Sequence, residues 1–145
     1  MTRQAFIEAA LAGKREADEF VAGCMGWEHR PAVKHRNPEG YWRDDFPYQE
    51  ENCTICRTPP PYATCPDSDP RSWALFGEMW DKLPRTKPGI ALGLNWEVHD
   101  LASPTGFYTD RWMVTCYGGD PRYWHHAPTR CLAVAVALLE AMGTF

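Results

Sequence analysis

The chain has no apolar stretch long enough to span a bilayer, and its opening residues, Met1-Thr2-Arg3-Gln4, lack the basic-then-apolar layout of a secretory signal. Those absences predict a protein that stays where it is made, with no membrane partner. There is no run of Lys or Arg either, and 15 basic against 19 acidic side chains leave a net charge of −4. A nucleic-acid polymer is therefore not an expected partner, because binding a phosphate backbone draws on a basic face that displaces counterions. HExxH, P-loop and GxGxxG motifs and a Ser-His-Asp order are also missing. This sets aside the familiar metalloprotease, nucleotide-hydrolase and nucleophilic readings. A binding protein is the first expectation.

What is present suits a single folded domain over residues 1–145, with 44% hydrophobic and 23% charged residues, close to the globular average. Seven Trp predict a heavily aromatic core or rings exposed for stacking. Six Cys without a secretion signal read as thiols or metal ligands rather than as a disulfide framework.

Between Thr2 and Gly23 the residues Phe6, Ala10, Ala17, Phe20, Val21 and Cys24 recur at helical spacing, which predicts one amphipathic helix or, with Gly13 as a break, a short helix and a second from Lys14, with Gly26 ending the stretch. Residues 27 to 70 hold eight of the 13 prolines and keep no period, which predicts a long irregular insert. Asp69 and Pro70 then signal a helix start, with Trp73, Phe76, Trp80 and Leu83 on one face and Pro84 at the end. Ile90 to Val98 and Trp112 to Cys116 alternate as two strands, and Ser103-Pro104-Thr105-Gly106 between them predicts an antiparallel hairpin. The last element is an almost wholly apolar helix from Pro128 to Met142, closed by Gly143. The order of elements predicts a layered α/β arrangement.

Three blocks carry a resemblance: Arg15 to Ala22 leading to Met25-Gly26-Trp27, Pro61-Tyr62-Ala63-Thr64 before the helix with Trp73 and Trp80, and Ala127 to Ala133. In these the chain resembles the phage ABA-sandwich domain, a family of small α/β/α proteins of phage and prophage genomes. The resemblance implies an α/β/α sandwich with a small antiparallel sheet. It also implies a phage protein acting in the host cytoplasm, and it transfers no reaction and no catalytic residue.

Cys53-Thr54-Ile55-Cys56, with Cys65 nine residues on and His29 and His35 upstream, has a spacing suited to tetrahedral zinc. Cys53, Cys56, Cys65 and His35 are the candidate ligands of a structural zinc that would order the insert. Free thiols in a proline-rich loop, or a redox C-x-x-C, remain alternatives. Arg122-Tyr123-Trp124-His125-His126 precedes the last helix, whose N-terminus is a natural anion site with Arg130 in its first turn. Arg122, Tyr123, Trp124, His125 and Arg130 are thus candidates to hold a phosphorylated or nucleotide-like ligand, with packing of the rings as the alternative. Tyr41, Trp42 and Arg43 form a second candidate patch, followed by Asp44 and Asp45.

Three functions follow as expectations. One is a non-catalytic phage accessory protein that sequesters a nucleotide-like signal molecule in host takeover or counter-defence. Another is a zinc-stabilised module binding a host protein, and the third is an unrecognised hydrolase using Asp44 or Asp45. A second copy of the chain is a further candidate partner.

Overall fold

The computed structural model describes residues 1–27, 58–86, 93–101, 110–117 and 123–145, with Tyr123 described in its backbone alone. Its elements are α1 (Arg3–Leu11), α2 (Arg15–Cys24), α3 (Ser72–Lys82), β1 (Asn95–Asp100), β2 (Trp112–Tyr117), β3 (Tyr123–Ala127) and α4 (Arg130–Ala141). Among the described residues, four helices and a three-stranded antiparallel sheet make a mixed α/β fold.

The first amphipathic stretch divides where Gly13 interrupts it. The Thr2 hydroxyl starts α1 by accepting the Ala5 N–H at 3.2 Å, satisfying one of the amide donors that a helix start leaves open. Gly13 then adopts φ +68°, a conformation that costs glycine little. The N–H groups of Gly13 and Lys14 turn back to the carbonyls of Ala10 and Ala9, which aims α2 along α1. Phe6, Ala17 and Val21 are fully buried between them. Phe145 closes that end, its ring centroid 5.6 Å from Phe6 and 6.3 Å from Phe20.

Helix α4 is the centre of the core, with every residue from Arg130 to Leu139 buried. A helix apolar all round needs cover on every side. The strands β2 and β3 lie on one flank, α3 on another, and α1 and α2 on a third. Thr129 caps it, accepting the Leu132 N–H at 3.2 Å, so the helix begins one residue after Thr129 rather than at Pro128.

The sheet runs β1-β2-β3, and Val114 sits opposite Val98 on one side and His125 on the other. Residues directly opposite share a face. The inner face carries buried Trp96, Trp112, Val114, Cys116, His125 and Ala127, while the outer face carries Glu97, Thr115, Trp124 and His126. Among the described residues, helix backbone lies against the sheet only through α4, on that inner face. The expected hairpin of β1 and β2 is present, and its turn residues lie outside the described set.

Further local expectations change, among them the first strand, in which Gly93 and Leu94 take no part and which begins at Asn95. The segment before α4 is a paired third strand, hidden in the sequence because its inward residues are His125 and Ala127, a pattern that hydropathy does not mark. Helix α3 starts at Ser72, since the Asp69 carboxylate accepts the Arg71 N–H at 2.8 Å in a turn that precedes the helix. Its buried residues are Ser72, Leu75, Phe76 and Met79, so the stripe is rotated from the one expected, and Trp73 is 56% exposed.

Candidate functional site

A loop over residues 58–67, the end of the proline-rich insert, is clamped at two points. At the first, the Asp18 carboxylate on α2 accepts the N–H groups of Ala63 and Thr64 at 2.8 and 3.0 Å and the Thr64 hydroxyl at 2.7 Å. Burial raises the Asp18 pKa, and these three donors pull against that rise. At the second, the Asp67 carboxylate accepts the Trp112 indole N–H at 2.6 Å and the Arg130 backbone N–H at 2.9 Å. The Arg130 guanidinium donates to the Asp67 carbonyl at 3.2 Å and to the Ser72 hydroxyl at 2.6 Å. It also lies between two rings, 4.2 Å from the Trp73 centroid and 4.8 Å from that of Trp112.

Fixing the loop in this way creates a cleft between α2 and α3. Met25 and Trp27 at the end of α2, Pro60 and Tyr62 from the loop, and Glu78, Asp81 and Lys82 from α3 line a space of about 510 Å³. Positions 78, 81 and 82 share one side of α3 because residues three and four apart are neighbours on a helix surface. The Tyr62 hydroxyl donates to Glu78 Oε2 at 3.4 Å and is hydrogen-bonded to the Trp27 side chain. Burial raises the Tyr62 pKa above its ordinary value of 10.0, so the ring presents a neutral phenol.

The residues expected to hold an anion do not converge as described. Alternation along β3 sends Trp124 outward, 51% exposed, and His125 inward, 2% exposed. Burial, assisted by Arg3 and His126, lowers the His125 pKa to about 4, and Arg3 Nη2 lies 3.5 Å from His125 Nδ1. The N-terminus of α4 already holds an anion, and it is the protein's own Asp67. Arg130 is buried beside that carboxylate, its Nε 3.8 Å from Oδ1, and serves packing in this structure. Arg122, Tyr41, Trp42, Arg43, Asp44 and Asp45 lie outside the described residues, as does the side chain of Tyr123.

Cys65 is in the core rather than on the face of an insert. Its thiol donates to the Pro66 carbonyl at 3.7 Å and is hydrogen-bonded to Cys131, which itself donates to the Ser72 carbonyl at 3.3 Å. Burial raises the pKa of both thiols, that of Cys131 to about 12. Cys53, Cys56 and His35 lie outside the described residues, among which no three His, Cys, Asp or Glu groups cluster as metal ligands. Cys116 and Cys131 are buried, whereas Cys24 is half-buried beside the Thr144 hydroxyl at 3.6 Å.

The chain matches no protein-family model, no curated protein and no solved structure. Sequence reasoning missed the clamp carboxylates Asp18 and Asp67 and the cleft itself. A signal for part of them was present, since Asp18, Ala63 and Thr64 stand in the blocks singled out above, and the structure joins those blocks by hydrogen bonds.

Proposed function

We propose that the chain is a non-catalytic binding domain and that its ligand, a small molecule, occupies the cleft between α2 and α3. The observation that carries this is the lining: two aromatic side chains, Trp27 and Tyr62, and the apolar Met25 and Pro60 face ionisable groups of α3 around about 510 Å³. Small-molecule sites combine an apolar wall with a few polar groups in volumes of roughly 300 to 1,000 Å³. Among the described residues the lining offers apolar and aromatic surface beside the charges of Glu78, Asp81 and Lys82. The resemblance to the phage ABA-sandwich domain supplies the setting. There the protein acts as a phage accessory that withdraws a small signal molecule from the host.

A thermal-shift screen of small metabolites, nucleotides and amines included, tests the reading. A ligand at a hundred times its Kd stabilises the folded state by about 2.7 kcal/mol, a rise in Tm of several degrees. Trp27→Ala is expected to abolish most of that rise and Asp81→Asn to lower it slightly, with the circular dichroism spectrum unchanged. Ligands that stabilise both variants as they do the wild type would place the binding site elsewhere and overturn the proposal.

A further inference from the structure

The cleft also carries information about the charge of its occupant. Two carboxylates, Glu78 and Asp81, stand against one ammonium, Lys82, so the α3 wall is net acidic. Trp27 and Tyr62 also line the cleft, and aromatic ring faces are negative and attract cations. The Tyr62 hydroxyl donates to Glu78 and so steadies one carboxylate of the α3 wall. A phosphate brought here would meet like charge from α3, whereas a cation would meet attraction from the carboxylates and the rings alike. The anion-binding preference expected from the sequence belonged to the α4 terminus, where Asp67 now sits.

We infer that the cleft takes a small organic cation with a flat body, of the amidinium, guanidinium or aryl-amine class, its ring against Trp27 and its charge toward Glu78 and Asp81. The inference rests on the binding role proposed above and adds the sign of the ligand's charge to it. Because Glu78 and Asp81 are exposed, each contributes modestly, and the attraction weakens as salt rises.

Benzamidine, benzamide and benzoate share one shape and carry positive, zero and negative charge. Each is titrated at millimolar concentration into the full chain while the indole N–H signal of Trp27 is followed by NMR, assigned through Trp27→Phe. Benzamidine is expected to move that signal and the amide signals of α3, with affinity falling about two- to fivefold in Glu78→Gln and again in Asp81→Asn. It should weaken further between low and physiological salt. Equal or stronger binding of benzamide or benzoate in the cleft would overturn the cation assignment and leave the cleft as a binding site. If none of the three moves the Trp27 signal, both the assignment and the cleft fall.

Discussion

Asp67 and Arg130 hold one another through two separate bonds: the Asp67 carboxylate accepts the Arg130 backbone N–H at 2.9 Å, and the Asp67 carbonyl accepts from the Arg130 guanidinium at 3.2 Å. Together they close the N-terminus of α4, join the loop to β2 through the Trp112 indole, and place a guanidinium between two rings.

Removing the carboxylate tests that joint. Asp67→Ala deletes an acceptor for a helix-end N–H and for the Trp112 indole, and leaves the buried Arg130 without its counter-charge. A loss of about 2 to 4 kcal/mol is expected from a cap, a charge-assisted bond and an uncompensated cation, read from urea unfolding. Asp67→Asn keeps an acceptor and should lose less. Equal stability of Asp67→Ala and wild type would show that the joint is not stabilising.

His125 makes stability depend on pH in a defined direction. Its folded pKa is about 4, below the ordinary value of 6.5, so the unfolded chain takes up the proton first. Its contribution is complete above about pH 6.5 and declines as pH falls toward about 4, by roughly 3 kcal/mol in all. Asp18 works against this, because a carboxyl whose folded pKa is raised gains relative stability as pH falls. Urea unfolding at a series of pH values should show the decline, and His125→Gln should flatten it. A variant with the wild-type slope would exclude His125 as its source.

Leu138 measures how fully α4 is enclosed. The residue is wholly buried, and Leu138→Ala is expected to cost about 2 to 5 kcal/mol in lost contacts and cavity. Leu138→Asp should unfold the chain, because a buried unpaired carboxylate costs as much as a small domain has to spare. Circular dichroism and melting of the two variants give the answer. An unchanged Tm in Leu138→Asp would mean that α4 is not packed as described.

The elements legible in the sequence are those whose burial follows hydropathy. The helical character of the first stretch, the strand Trp112 to Cys116 and the apolar last helix all follow from period, because there the buried side chains are the apolar ones, while the choice between one helix and two at Gly13 is settled by the structure. The sequence reading goes astray where polar groups are inside or aromatic groups outside. His125 is inside β3, Asp18 is buried by the loop it holds, and Trp73 leaves the core to cover a guanidinium. The cleft was not legible, because its walls come from three separate stretches whose approach depends on two carboxylates bonding to distant backbone groups.

The bond between Trp27 and Tyr62 has a bearing on how this chain can change its length. Trp27 stands just past the end of α2 and Tyr62 in the loop before α3, so the bond brings together two positions 35 residues apart in the sequence. For a connection whose ends are held together, closure entropy varies only with the logarithm of length, about 0.6 kcal/mol for each doubling. The contact between these two side chains thus sets a closure cost that depends only weakly on how many residues separate them.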